Sequence, residues 1–106
     1  MIDKIYGFLG LAMKAGKIAF GADMCEEKIK KGEACLLIIA EDLSDNTKSK
    51  FIKLAQMNHI NVVEFGKIEV LSDCIGKINK GVIAVLDSGF ADKLLQMVNI
   101  VKGANN

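Results

Sequence analysis

Residues 34–42 read Ala34-Cys35-Leu36-Leu37-Ile38-Ile39-Ala40-Glu41-Asp42. The run from Ala34 to Ala40 is apolar throughout and of strand length. A strand with one wet face would alternate polar and apolar residues. An unbroken run instead predicts a strand covered on both faces. It stops at two carboxylates, Glu41 and Asp42, which fall at the strand's C-terminal tip. In open α/β sheets ligands bind at that edge. Just upstream, Gly21-Ala22-Asp23 offers a tight turn with Asp23 as a capping carboxylate. A lysine-rich helix from about Asp23 to Lys31 follows, and Gly32 is its natural stop. The turn and the acidic pair are therefore expected near one another, at one end of a sheet.

The rest of the chain repeats this alternation. Ile5, Phe8, Leu9, Ala12 and Met13 recur at helical spacing and make one apolar face of a helix over 3–14. Ala15-Gly16 ends it, and Lys17 to Phe20 is a short strand expected at a sheet edge. Ser44-Asp45-Asn46 supplies capping residues for a helix with Phe51, Leu54, Ala55 and Asn58 on one face. Ile60 to Phe65 reads as a strand, and Gly66 as the turn into a short helix bearing Val70, Leu71, Cys74 and Ile75. A loop over 76–81 leads to a second continuous apolar strand, Val82 to Leu86. Asp87-Ser88 caps a last helix whose core face is Phe90, Ala91, Leu94, Leu95, Val98 and Val101. The order is helix, strand, helix, strand, to a final helix. It predicts an α/β fold, a three-layer α/β/α sandwich around a small mixed four-stranded sheet. Residues 1–102 form a single domain in this reading, and 103–106 a frayed tail.

Composition narrows function. With 106 residues and about half of them hydrophobic, the chain can bury a modest core without staples. No apolar run is long enough to span a bilayer, and the N-terminus lacks the pattern of a signal peptide, so a cytoplasmic protein with no membrane partner is expected. Cys25, Cys35 and Cys74 form no paired motif and the only histidine is His59, so the thiols read as buried and reduced, and neither a metal nor a cofactor is expected. His59 falls at a helix end, where it reads as a cap. No P-loop, dinucleotide fingerprint or nucleophile elbow is present. Glu41 and Asp42 could pair as general acid and base, but no nucleophile or metal-ligand cluster accompanies them. Carboxylates at a strand end more often cap a helix or hold a loop. An enzyme is not expected.

The formal net charge is only +1, and all fourteen basic residues are lysines. Without arginine there is no bidentate fork for guanine or phosphate. Lys14, Lys17, Lys28, Lys30 and Lys31 cluster, either as a solvated helix face or as point charges for a polyanion. In Gly76-Lys77-Ile78-Asn79-Lys80-Gly81 an apolar residue stands between lysines. Ile78 is either a wall for an unstacked base or a side chain tucked into the core.

Leu9 to Lys17, Gly21, Gly32, Leu37 to Asp42, Gly76-Lys77 and Val85 to Ala91 together closely resemble the bacterial YlxQ-like proteins. These belong to the superfamily of kink-turn-binding large-subunit ribosomal proteins of the L7Ae and L30e type. The resemblance spans nearly the whole chain. It implies the three-layer sandwich, no catalysis, and binding to a kink-turn, a duplex sharply bent at a bulge flanked by sheared G·A pairs. Ribosomal RNA and the ribosome are the implied partners, met by a monomer. Carried over by position, the RNA-binding residues are Gly21, Ala22, Asp23 and Met24 in the turn, Glu41 and Asp42 at the strand end, and Lys77, Ile78 and Asn79 in the late loop, with Lys17, Lys28 and Lys31 as cations. The sequence departs from the pattern of strong kink-turn binders, Gly-x-Asn-Glu with a lysine one helical step later. Asp23, Met24 and Glu27 stand at those positions. Lys31, one turn beyond Glu27, is the expected compensating cation. The second reading is a protein-interaction module on the same scaffold that has lost its RNA specificity.

Overall fold

The strand β2 (Leu36–Ile39) is buried along its whole length and carries the sheet. In the computed structural model, which describes residues 2–103, it lies between β4 (Val82–Val85) and β3 (Asn61–Glu64). It pairs antiparallel with β4 and parallel with β3. A three-residue strand, β1 (Ile18–Phe20), pairs antiparallel with the other side of β4 and forms the edge, as expected from sequence. The sheet order is β1-β4-β2-β3.

The unbroken apolar runs follow from what covers the sheet. Leu36 and Ile38 of β2, with Ile83 and Val85 of β4, face one core. Leu37 and Ile39, with Val82 and Ala84, face the other. Successive side chains of a strand point to opposite faces, so both faces must be apolar when both are covered. The first core is closed by α1 (Ile2–Lys14), α4 (Ile68–Cys74) and α5 (Ser88–Gly103) through Ile5, Leu9, Leu71, Leu94 and Val98. The second is closed by α2 (Ala22–Lys30) and α3 (Asp45–Met57) through Cys25, Ile29, Phe51 and Ala55. The chain is the three-layer α/β/α sandwich with a mixed four-stranded sheet. Each fully buried Leu or Ile contributes about 1.5–3 kcal/mol of hydrophobic stabilisation.

Local signals set most ends. Ser44 is the N-cap of α3 and its hydroxyl accepts from the Thr47 amide at 3.3 Å. The Asp87 carboxylate accepts from the Phe90 amide at 2.9 Å and starts α5. Gly32, at φ +74°, ends α2 with two backbone bonds, Gly32 N–H to Ile29 and Glu33 N–H to Lys28. His59 follows α3 with φ +57°, and its amide donates to Gln56.

Several expectations are corrected. Asp23 is not a cap. Gly21 holds the N-cap position of α2 with φ +86° and no side-chain hydrogen bond, and Asp23 lies inside the first turn. Asn58 is exposed and is the C-cap of α3, its side-chain amide donating to the Leu54 carbonyl at 2.8 Å. Val70 is 43% exposed, because α4 is short and buries only Leu71 and Ser72. Cys35 is exposed while Cys25 is buried, since Cys35 precedes the strand proper. Gly103 is the last residue of α5, and the remainder of the expected tail lies outside the described residues. No helix among the described residues is long and apolar enough to cross a membrane.

Candidate nucleic-acid interface

Three separate segments meet at one end of the sheet. The Gly21 amide donates to the Val82 carbonyl at 2.9 Å, and the Ala40 amide donates to the Gly81 carbonyl at 2.8 Å. The turn before α2, the end of β2 and the start of β4 therefore lie side by side. Next to them the Glu41 amide donates to Gly66 at 2.7 Å, which brings in the turn after β3. Gly81 permits this closeness. A methyl group there would come within 2.8 Å of Leu43 Cδ2 and 2.9 Å of Ile68 Cγ1.

At the turn, the Gly21 carbonyl accepts from Cys25 N–H at 3.0 Å. The amides of Ala22, Asp23 and Met24 precede the first intrahelical donor, Cys25 N–H, and point out of the helix end. Gly21, with its positive φ and no side-chain cap, leaves that end open. Beneath it, the Cys25 thiol is within 3.4 Å of the Val82 carbonyl, and burial pushes its pKa up to about 12. It is a buried anchor of the turn and not a nucleophile.

The two carboxylates at the strand end have different surroundings. Asp42 Oδ1 accepts from the Ile68 amide at 2.8 Å, so Asp42 caps α4 across 26 positions of sequence. Glu41 is exposed, with Lys67 Nζ 3.5 Å from its Oε1. Among the described residues no group of His, Cys, Asp and Glu could hold a metal ion.

The late loop is held by Ser72, which sequence reasoning did not single out. Its hydroxyl accepts from the Lys80 amide at 2.7 Å and lies 2.6 Å from the Ile68 carbonyl and 3.1 Å from the Lys80 carbonyl. The Lys77 amide donates to the Ser72 carbonyl at 2.8 Å. Both ends of the loop are thus fastened to α4, and Asn79 takes φ +54° at its tip. Ile78 is 86% exposed, which settles its placement: it is outside the core. It lines a cleft of about 390 Å³ with Val70, Glu69, Asp73, Lys77 and Asn79. A second cleft of about 240 Å³ runs along Phe20, residues 21–24 and Lys80. Lys77 Nζ stands 4.9 Å from the centre of the Phe20 ring, a cation–π contact that joins the loop to β1.

The structure does not gather all the expected cations here. Lys17 precedes β1 and its carbonyl accepts from Leu86, at the end of the sheet opposite Gly21. Four residues of extended chain separate the two by about 13 Å. Lys31, the expected substitute for the lysine missing at position 27, is paired at the surface, its Nζ 2.8 Å from Glu27 Oε1. That hydrogen bond lowers the Glu27 pKa and raises that of Lys31. Lys28 is likewise paired with Glu33 at 2.9 Å. Lys30 and Lys50 both bind Glu26, and their hydrogen bonds lower its pKa to about 2.

Fold and site define a class: an α/β/α sandwich whose sheet end presents an open helix turn, an acidic strand end and an apolar loop tip between lysines. The sequence profile of the Ribosomal protein L7Ae/L30e/S12e/Gadd45 family matches residues 3–95, and the chain belongs to that family. It is 33% identical over 94 residues to the RNA-binding protein YlxQ of Bacillus subtilis, covering 89% of this chain and 94% of that one. It is 30% identical over 94 residues to the large ribosomal subunit protein eL30 of Yarrowia lipolytica, covering 87% and 86%. A solved structure of a Bacillus halodurans protein of unknown function superimposes with TM-score 0.87 at 30% identity, covering 91% of this chain and 97% of that one.

Proposed function

We propose that this chain binds structured RNA through the end of the sheet just described, and that it selects a sharply kinked duplex of the kink-turn type without catalysing a reaction on it. The observation that carries the reading is Ile78, an isoleucine 86% exposed on a loop fastened at both ends, beside an open helix turn. Ile78 and Val70, both exposed, line one cleft, and this apolar surface on a loop fastened to α4 suits the face of an extruded nucleobase. The open amides of 22–24 and the positive end of α2 favour a phosphate. Glu41 can accept from the N–H groups of a guanine edge. Binding only the bent form would draw the RNA's own equilibrium toward it. The names of the relatives support the partner class, an RNA-binding protein and a large ribosomal subunit protein. Association with the ribosome, in the cytoplasm, is the setting this reading favours.

The test is binding to a short RNA with a kink-turn, against the same RNA with its sheared G·A pairs converted to Watson–Crick pairs. End-labelled fluorescence transfer reports the bend. Preference for the first RNA with closure of the bend is the expected result. Equal, weak binding to both sinks the kink-turn reading. In that case the protein-interaction reading gains, because the charges on α2 are already paired within the chain and Met24, Val70 and Ile78 are exposed.

A further inference from the structure

The positive charge of this interface has an uneven distribution that the fold makes visible. Along α2, Lys28, Lys30 and Lys31 are each within 2.9 Å of a carboxylate, on Glu33, Glu26 and Glu27. The helix is close to self-neutralised. Across the 240 Å³ cleft, Lys80 forms no ion pair among the described residues, and neither does Lys77. Lys80 lies along Gly21: a methyl group built there would stand 3.6 Å from its Cδ and 3.7 Å from its Nζ. Its ammonium therefore sits beside the first turn of α2. That is the end of a helix where a cation is disfavoured, since the open amides already carry partial positive charge. The Lys80 ammonium and the open amides of 22–24 converge on one cleft, which Asp23 also lines, and together they offer donors to an entering anion. Its backbone is prefixed as well, because the Lys80 amide donates to Ser72 and its carbonyl is within reach of the same hydroxyl.

We infer that Lys80 is the principal phosphate-binding cation of this interface, and that the lysines of α2 are spectators. The inference rests on the RNA reading above. It names a residue and a chemistry beyond it: a backbone phosphate of the bound RNA held between Lys80 Nζ and the amides of 22–24. The cation that strong kink-turn binders place on the helix, at the position of Glu27 here, is supplied from the opposite wall of the cleft. Lys77 has less freedom to do this, because its ammonium is engaged with the Phe20 ring.

The experiment is the salt dependence of affinity for the kinked RNA, compared between wild type and three variants. Lys80→Gln removes the charge while keeping most of the stem, and circular dichroism with thermal unfolding checks its fold. Lys80→Arg keeps the charge. The third combines Lys28→Ala with Lys31→Ala. One lost phosphate contact lowers the slope of log affinity against log salt by about 0.7–0.9. We expect that change for Lys80→Gln, with roughly tenfold weaker binding at low salt, recovery in Lys80→Arg, and no change of slope in the α2 double variant. An unchanged slope in Lys80→Gln, or a slope lowered by the α2 double variant instead, overturns the assignment while leaving RNA binding intact. Failure of wild type to prefer the kinked RNA is a different result, and it removes the reading beneath.

Discussion

The Ser72 hydroxyl and the Lys80 amide are 2.7 Å apart, and this bond fixes the loop that carries Ile78. Ser72 is 2% exposed, so its replacement by alanine leaves the Lys80 amide without its partner. An unsatisfied group of this kind costs about 1–3 kcal/mol. Ser72→Ala is expected to lower stability by that amount in urea unfolding. Amide exchange at Lys77 and Lys80 should rise more than exchange in β2 or β4. A uniform rise across the sheet would show that Ser72 holds the core and not the loop.

Ile78→Ala should leave folding nearly untouched, within about 0.5 kcal/mol, because the side chain gives up little burial. Loss of its apolar surface against a base should weaken binding to kinked RNA by roughly tenfold. A variant that unfolds more easily but binds as before would place Ile78 in the fold instead of the interface. Calorimetry on the free protein and on the complex separates the two.

Gly81→Ala is expected to be more harmful than its size suggests. The added methyl would press on Leu43 and Ile68 at under 3 Å, where α4 packs against the end of β4. Such overpacking costs about 1–3 kcal/mol. The midpoint of chemical unfolding is the measurement, and an unchanged midpoint would mean the two elements part without cost.

Thiol labelling should proceed in a fixed order. Cys35 is exposed and reacts first. Cys74 is half-buried with its pKa raised to about 11 by desolvation, and reacts slowly. Cys25, buried with its pKa near 12, reacts only on unfolding. Early modification of Cys25 in the native protein would contradict the closed packing beneath the turn.

Glu26 ties α2 to α3 through Lys50 and also pairs with Lys30 of its own helix, and those hydrogen bonds depress its pKa to about 2. A depressed carboxylate stabilises the fold above its unfolded pKa, and that contribution is lost as pH falls through the folded value. The stability gap between wild type and Glu26→Gln should therefore be full near neutrality and close as pH drops from about 4.5 towards 2. A gap that widens in acid would contradict the pairing.

Much of this fold was legible because its signals are local or periodic. The runs at 34–40 and 82–86 report two covered faces whatever the topology, and Ser44 and Asp87 cap the helices they precede. The nearness of the turn and the strand end was also readable in outline from the strand's end and the glycine turn, whereas the late loop joined them only through the family resemblance. Long-range bonds were not. Nothing near Asp42 in sequence says that it caps α4, and nothing near Ser72 says that it holds Lys80. Charge was the least legible. Lys28 and Lys31 look free in a string of residues, yet their partners at Glu33 and Glu27 occupy them. Lys80 is inconspicuous between Asn79 and Gly81, and only the fold lays it beside Gly21.

The most direct measurement of the central claim is an amide shift map of the labelled protein titrated with kink-turn RNA. The largest changes are expected at residues 21–24, Glu41 and 77–80, with little change at Lys17 or along Lys28 to Lys31. If the largest changes instead fall in the groove between α1 and α4, around Gly10, Leu11 and Cys74, the interface is misplaced and the account is wrong.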